Sequence, residues 1–334
     1  MSYLVTIAVP IYGVEMYIER CVRSIFEQTY HNLDILFIND CTKDNSIQIL
    51  HKVCEEYPLR KKQIRIINHP QNYGLAVARN TAIKHSRGEF IFHIDSDDYL
   101  ENTAIEDLVH AQIKKNADIV FGNYLVETIK ENKIVSYCDI TKARRDIIKD
   151  CLSSNCSHNI WGILIKKTLY TENDIKTIEG VNYGEDWQVT PLLLFCAKHI
   201  DYINKITYHY DLSRTDSYTA GFSQSLEKKI HLLLQLIQTT NHLIDFFFKK
   251  DIHYLPILYN NKSHYVQDAM IFSCRLKMKK TFDILAKEMN SIPTKYLNNI
   301  GKNNFIFRMM KKNYYCFYII IKLKTLLERK WQLF

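Results

Sequence analysis

Three aspartates lie within four residues, at Asp95, Asp97 and Asp98, directly after the apolar run at residues 90–94. Adjacent carboxylates repel one another when all of them are ionised, so a bound cation would offset their charge. Mg²⁺ and Mn²⁺ prefer oxygen ligands and carry phosphate oxygens on their open face. The alternative is a solvated turn that caps a helix starting near Asn102. From these residues alone, both interpretations remain open.

A second acidic pair, Glu185-Asp186, follows Gly184 and opens an apolar stretch with helical spacing. Acidic side chains stabilise the N-terminus of a helix, which is the structural interpretation of the pair. A carboxylate held near a substrate hydroxyl can also act as a general base, which is the functional interpretation.

Apolar runs and helical patterns alternate along the first 122 residues. The patterns predict strands at residues 4–9, 34–39, 64–68, 89–94 and 117–122, and helices at residues 14–26, 44–57, 74–85 and 102–116. Such alternation is typical of an α/β fold, with a mainly parallel sheet covered by helices on both faces. The first strand is not followed by G-x-G-x-x-G, which excludes the dinucleotide-binding version of this architecture.

Polar residues follow each of the first four predicted strands, at residues 10–13, 39–42, 68–74 and 95–98. In open α/β sheets the ligand crevice lies beyond the carboxyl ends of the strands. Any one of these turns alone is more often ordinary turn chemistry than a site. Four that meet at one edge predict a ligand-binding site there.

The sequences VPIYG, INDCTKDNS, NYGLAVARN and GEFIFHIDSDDYL, in this order and spacing, resemble family 2 glycosyltransferases of the bacterial polysaccharide type. The resemblance covers residues 3 to about 100, the nucleotide-sugar-binding half of that family. It implies the GT-A fold, a Rossmann-like sheet, here with a C-terminal helical extension. Three positions depart from the usual pattern, where Gly13, Asn39 and Cys41 replace Asn, Asp and Gly.

The resemblance implies a role for each matching residue around a UDP-sugar. Asp40 would accept a hydrogen bond from the uracil imide, and Pro10 and Tyr12 would pack against the base. Asn72 and Arg79 would shape the nucleotide pocket.

The resemblance also implies contacts between the donor and residues 95–98, which we call the acidic motif. Asp95 would face the ribose of the nucleotide, and Ser96 would also lie in the nucleotide site. Asp97 and Asp98 would hold Mn²⁺ or Mg²⁺ on the diphosphate.

The resemblance also favours the functional interpretation of Glu185 and Asp186, with Asp186 as the general base. The implied reaction is inverting transfer of a hexosyl or N-acetylhexosaminyl group from a UDP-sugar. The acceptor would be a hydroxyl of a glycan or lipid-linked saccharide in capsule, exopolysaccharide or lipopolysaccharide biosynthesis. The alternative is a non-catalytic nucleotide-sugar-binding subunit of a polysaccharide assembly complex, against which the retained Asp97 and Asp186 argue.

Two aromatic features beyond residue 150 have open roles. Trp161 is a candidate for stacking on a sugar, but a large aromatic side chain belongs to the core more often. The segment Tyr208-His209-Tyr210 resembles a family segment that forms a lid near the donor phosphates. The family places Arg directly after these aromatics, where this chain has Asp211, so a phosphate role for Arg214 is open.

The nine cysteines are scattered, with an odd total and no C-x-x-C pair, which argues against a disulfide framework and a zinc site. The first residues lack a basic segment followed by an apolar one, so we expect no signal peptide. Together these features predict a reduced, cytoplasmic protein.

The net charge of +8 belongs mostly to the tail, because residues 301–334 contain eight Lys or Arg and a single acid, Glu328. This distribution excludes a basic nucleic-acid groove in the main body. We expect a catalytic domain at residues 1–220 and a helical region at 221–334. The aromatic and basic segment 302–334 predicts peripheral contact with the inner face of the cytoplasmic membrane, and the alternative is packing on the protein.

Overall fold

The computed structural model describes residues 2–139, 141–213 and 225–296, together with Tyr314 and Tyr318. Internal contacts divide the chain into two compact units, Met1–Thr215 and Asp216–Phe334. The boundary that the sequence predicts at residue 220 falls within residues 214–224, outside the described part.

The strands of the first unit join in one nine-stranded sheet. They are β1 (Val5–Ile11), β2 (Leu33–Asn39), β3 (Ile64–Asn68), β4 (Phe90–His93), β5 (Tyr99–Leu100), β6 (Ile119–Glu127), β7 (Asn132–Ser136), β8 (Ile163–Lys166) and β9 (Ile200–Asp211).

Helices connect most of these strands. They are α1 (Ile18–Phe26), α2 (Ser46–Glu56), α3 (Leu75–His85), α4 (Ala104–Lys115), α5 (Arg144–Leu152), α6 (Lys167–Glu172) and α7 (Glu185–Cys196).

The sheet runs in the order β3-β2-β1-β4-β8-β6-β9-β5, and β7 pairs with β6. The strands β3, β2, β1 and β4 are parallel, with Val5 opposite both Leu33 and Phe90. The strand β8 lies antiparallel between β4 and β6, and β9 is parallel to β6. The carboxyl ends of four consecutive parallel strands therefore meet at one edge.

Burial explains why the first strands read as continuous apolar runs. All seven residues of β1 are buried, and so are the first six of β2. A strand covered on both faces does not alternate polar and apolar residues, so its sequence is mainly apolar. The buried exceptions, Thr6 and Asp34, hydrogen-bond to each other. The core beneath β1 joins apolar residues of α1, α2 and α4 in one cluster.

The structure confirms the α/β fold with a mainly parallel, mixed sheet. The helix α3 begins one residue after its predicted start and ends at the predicted residue, and β3 has its predicted bounds. The sequence did not predict that β8 lies between β4 and β6 and runs antiparallel to both. It did not predict β7 or α5 either, which lie where the sequence pattern fades.

The second unit contains the helices α8 (Leu226–Lys250), α9 (Leu255–Arg275) and α10 (Lys279–Asn290). The hydroxyl of Ser225 accepts a hydrogen bond from the amide of Lys228 and so caps α8. A core of Ile237 from α8, Val266 and Met270 from α9, and Phe282 and Leu285 from α10 joins the helices. The C-terminal helical region is thus confirmed for the described residues.

Among the described residues, no helix is long and apolar enough to cross a membrane. The eight cysteines in this part of the chain form no disulfide with one another. The segment 302–334, for which the sequence predicts membrane contact, lies outside the described residues except for Tyr314 and Tyr318.

Candidate functional site

The loops that follow β1, β2, β3 and β4 lie at one edge of the sheet, which we call the rim: residues 10–13, 39–42, 69–74 and 95–98. The parallel registers of the four strands bring these loops side by side. The expected convergence of polar turns is therefore present in the first unit.

Burial alternates along the acidic motif. Asp95 and Asp97 are partly exposed, whereas Ser96 and Asp98 are buried. The two oxygens of Asp98 accept hydrogen bonds from the Tyr208 hydroxyl at 2.6 Å and from the Asp211 amide at 3.0 Å. Burial, followed by the charges of Asp97 and Asp95, raises the pKa of Asp98 well above its ordinary value. Asp98 thus ties the motif to β9, and Asp95 and Asp97 remain at the rim.

Arg79 joins the acidic motif to the second acidic pair. Its Nη2 lies 3.0 Å from Asp95 Oδ1, 3.3 Å from Glu185 Oε1 and 3.4 Å from Asp186 Oδ1. The Arg79 side chain has no exposed surface. Burial opposes its charge, but the carboxylates of Asp95, Asp186 and Glu185 outweigh that effect and raise the pKa of Arg79. Arg79 is thus a buried cation among three carboxylates of the two acidic segments.

Glu185 and Asp186 differ in what they contact. Glu185 accepts hydrogen bonds from Arg79, whereas Asp186 Oδ1 accepts none from any described residue. Burial, followed by the neighbouring Glu185 charge, raises the pKa of Asp186 well above its ordinary value. Asp186 Oδ1 lies 3.4 Å from Arg79 Nη2, at the distance of an ion pair. A carboxylate with an elevated proton affinity is suited to take a proton.

The start of α3 is held by side chains from outside the helix. Asp40 accepts hydrogen bonds from the amides of Tyr73 and Gly74 at 2.9 and 2.7 Å, and His69 Nδ1 lies 2.7 Å from the same carboxylate. Asn182, in the loop before α7, accepts from the amide of Ala76 at 3.0 Å. These contacts satisfy amides that the first turn of a helix leaves without partners.

Gly74 has a φ of 89°, and a Cβ there would meet the Asn182 side chain. A larger residue at position 74 would therefore push Asn182 away from α3.

The other residues of the implied base pocket line the rim. Tyr12 is 52% exposed, Asn72 is exposed and Pro10 is buried. Cys41, which stands where the family usually has glycine, has a φ of 57°, a left-handed conformation that a side chain disfavours. The turn therefore keeps the glycine-like backbone despite the cysteine.

Trp161 is 4% exposed and stacks on Tyr208, with 4.3 Å between the ring centroids. Tyr210 packs against the same indole. This geometry supports the core interpretation of Trp161 over sugar stacking. Arg214 lies outside the described residues.

Arg20, on α1, also contacts the acidic motif and was not predicted from the sequence. Its Nη2 donates to the main-chain oxygen of Asp97 at 3.1 Å and to Asp211 Oδ2 at 2.7 Å. The sequence spacing does not reveal this contact, because α1 and the acidic motif lie more than 70 residues apart.

The acidic motif offers the oxygen donors that a hard cation such as Mg²⁺ or Mn²⁺ prefers. In the described part of the chain, no three His, Cys, Asp or Glu side chains form a group able to hold a metal by themselves. The donor set fits a cation that takes its remaining ligands from phosphate and water, as Mg²⁺ commonly does.

Residues 6–167 match the sequence model of the family described as Glycosyl transferase family 2. Glycosyltransferase GlyA of Streptococcus pneumoniae serotype 4 is 29% identical over 250 residues, which cover 70% of this chain and 35% of GlyA. The uncharacterized glycosyltransferase EpsJ of Bacillus subtilis is 30% identical over 196 residues, 56% of this chain and 54% of EpsJ. The matched regions thus span about a third to about half of these relatives.

Another relative is the UDP-Glc:alpha-D-GlcNAc-diphosphoundecaprenol beta-1,3-glucosyltransferase WfgD of Escherichia coli. It is 32% identical over 168 residues, which cover 50% of this chain and 62% of WfgD.

The crystal structure of S. aureus TarS 1-349 in complex with UDP-GlcNAc superposes with a TM-score of 0.57 at 18% identity. The match covers 93% of this chain and 91% of that one. It shows that the fold is GT-A. Together with the sequence matches, this identifies residues 6–167 as a glycosyl transferase family 2 region.

Proposed function

We propose that this chain transfers a sugar from a UDP-sugar to a hydroxyl of a glycan or lipid-linked saccharide, with inversion, in the biosynthesis of a bacterial cell-surface polysaccharide. The sugar would be a hexosyl or N-acetylhexosaminyl group. One observation carries the proposal: Arg79 Nη2 lies within 3.4 Å of both Asp95 and Asp186. The buried guanidinium of Arg79 thus links the acidic motif to the candidate base, Asp186.

Two similar proteins support a UDP-linked donor. The name of WfgD includes UDP-Glc and a diphosphoundecaprenol acceptor, and the TarS crystal contains UDP-GlcNAc. In this chain, Asp40 would accept a hydrogen bond from the uracil imide, with Pro10 and Tyr12 against the base. Asn72 lies exposed on the same rim, where it would contact the nucleotide.

The metal would be held by Asp97, with Asp95 and Ser96 beside it at the ribose. Bound there, Mg²⁺ or Mn²⁺ would offset the negative charge of the departing diphosphate. That Asp98 is also a ligand stays a prediction, although both of its oxygens have other partners.

Asp186 would act as the general base. A hydroxyl is a weak nucleophile, and removing its proton as the new bond forms lowers the barrier. The acceptor oxygen would bond to the anomeric carbon while the bond from that carbon to the diphosphate breaks, and the proton would pass to Asp186. A single displacement of this kind inverts the anomeric centre.

A panel of UDP-sugars, assayed for UDP release with and without acceptor extracts, tests this function. Acceptor-dependent release from one donor is the expected result. Donor binding without release, across all extracts, would instead favour a non-catalytic nucleotide-sugar-binding subunit.

Removal of the metal is expected to abolish transfer. Excess chelator should stop UDP release, and Asp97→Asn should lose most activity while the thermal unfolding midpoint stays unchanged, because Asp97 is partly exposed. Asp146→Asn is the matched control, since Asp146 is a surface carboxylate 53% exposed on α5. Full activity in excess chelator would contradict metal dependence.

Asp40→Ala is expected to weaken UDP binding by roughly 1–3 kcal/mol, because the imide would lose its acceptor. The same change should lower stability, since the amides of Tyr73 and Gly74 lose their partner. Calorimetry with UDP and uridine measures the first effect, and thermal unfolding measures the second. Thr81→Val is the control, because the Thr81 hydroxyl contacts His69 Nε2, whereas Asp40 contacts His69 Nδ1. Unchanged affinity for both ligands would rule out the imide contact.

Contact of residues 302–334 with the inner face of the cytoplasmic membrane stays part of the proposal. The excess of basic over acidic residues in that segment supports it, because each Lys or Arg near an anionic surface contributes about 1 kcal/mol.

A further inference from the structure

We propose that Arg20 binds the diphosphate of the donor nucleotide beside the acidic motif. The inference rests on the proposed function, because it assigns one more residue to the donor site.

The position of Arg20 is fixed by groups on three sides. Its Nη2 donates to the main-chain oxygen of Asp97 at 3.1 Å and to Asp211 Oδ2 at 2.7 Å. Its Cζ lies 4.3 Å from the centre of the Tyr99 ring, within the range of a cation–π contact. Tyr99 in turn stacks on His209, with 4.2 Å between the ring centroids. The guanidinium is therefore held against the turn of the acidic motif before any ligand arrives.

Most of the hydrogen-bonding capacity of Arg20 remains available. A guanidinium has five N–H groups, and both hydrogen bonds to described residues come from Nη2. Within the described part of the chain, Nε and Nη1 have no hydrogen-bond partner. The side chain is 43% exposed, whereas that of Arg79 is fully buried. Arg20 can thus offer N–H donors of Nε and Nη1 to a ligand, and the fully buried Arg79 cannot.

The charge around the motif explains why a cation is needed at this position. Asp95, Asp97 and Asp98 follow one another within four residues, and Asp211 lies against Arg20. A diphosphate that approaches these carboxylates meets like charge. Arginine N–H groups form strong, charge-assisted hydrogen bonds with phosphate oxygens, so Arg20 would attract the diphosphate.

The pairing with Asp211 fixes Nη2 of Arg20. The Asp211 carboxylate also accepts hydrogen bonds from the amide and hydroxyl of Ser213, so its own position is fixed. Nε and Nη1 of Arg20 are left for the ligand.

The test measures the affinity of the full chain for UDP, UMP and uridine by calorimetry. Arg20→Ala is expected to weaken UDP binding by about 10- to 100-fold, the range for a lost hydrogen bond to a charged group. UMP should lose less, and uridine should bind as before. The UDP affinity of Arg20→Lys should lie between those of the unchanged chain and Arg20→Ala, because lysine keeps the charge but has a single nitrogen donor. Arg23→Ala is the matched control, since Arg23 lies on the same helix but pairs with Glu19 and Glu56.

A variant that leaves Asp211 without its partner could unfold, so thermal unfolding accompanies each measurement. The double variant Arg20→Ala/Asp211→Asn removes the unpaired charge, and its UDP affinity should fall by the same factor as that of Arg20→Ala. Equal UDP affinity in the unchanged chain and in a folded Arg20 variant would overturn the proposal. An equal loss for uridine would also overturn it, because uridine has no phosphate. If the unchanged chain binds no UDP, the proposed function itself fails.

Discussion

Asp186→Asn is expected to lower turnover by about 100-fold or more, while the affinity for UDP stays near that of the unchanged chain. The amide is similar in size to the carboxylate but cannot accept the proton of the acceptor hydroxyl. Steady-state kinetics with the active donor, combined with UDP calorimetry, measures both quantities.

The same variant should be as stable as the unchanged chain, or more stable. Burial raises the pKa of Asp186 well above its ordinary value, so the ionised carboxylate is disfavoured in the folded state. The free energy of unfolding therefore falls as the pH rises from the ordinary pKa of aspartate through the raised value. Asparagine has no charge to bury and avoids this loss at neutral pH. A helix-capping role alone would instead make the variant less stable.

Glu185→Gln is the matched control, one residue earlier on α7. Glu185 accepts hydrogen bonds from Arg79, so this change should affect stability more than turnover. If Glu185→Gln loses turnover and Asp186→Asn does not, the base is Glu185 rather than Asp186.

The raised pKa of Asp186 also affects how turnover depends on pH. A general base must be deprotonated, so the acid side of the pH–turnover profile should lie above the range in which an ordinary aspartate titrates.

Arg79→Met is expected to destabilise the first unit by about 3–5 kcal/mol, which is typical when one member of a buried ion pair is removed. The carboxylates of Asp95, Glu185 and Asp186 would lose the cation between them. Denaturant unfolding at neutral pH measures the loss. Arg23→Met is the control: Arg23 is 33% exposed, and surface ion pairs contribute about 0–1 kcal/mol.

The deficit of Arg79→Met should shrink as the pH falls. Burial raises the pKa of Asp95 despite the opposing charge of Arg79, and it raises that of Asp186 as well. Both carboxylates therefore become neutral at a higher pH than ordinary aspartates, and neutral groups need no cation. A deficit that stays constant from neutral to acidic pH would argue that Arg79 acts through packing alone.

The sequence patterns were sufficient to predict the rim because parallel strands end at a common edge. Apolar runs located β1 to β4, and the turns after them supplied Asp40 and Asp95. The patterns could not separate Asp97 from Asp98, since both are aspartates in one turn. Their difference arises from Tyr208, which lies 110 residues beyond Asp98 in the chain.

Contacts between distant segments account for what was missed. Arg20 reaches the acidic motif only because α1 and the loop after β4 are neighbours in space. The strand β8 is a short apolar run, and such a run does not reveal its direction or its neighbours in a sheet. The tertiary structure assigns Trp161 to the core through its stack on Tyr208.

Arg79 pairs with Asp95, which lies 16 residues away along the chain, and with Glu185, which lies 106 residues away. During synthesis on a ribosome, the strands of the rim emerge well before α7. Until Glu185 and Asp186 follow, the guanidinium has only part of its counter-charge and must stay hydrated, because burying it without partners is unfavourable. Docking of α3 should therefore be a late event in folding, and the nascent chain would complete the rim strands before it acquires a closed donor site.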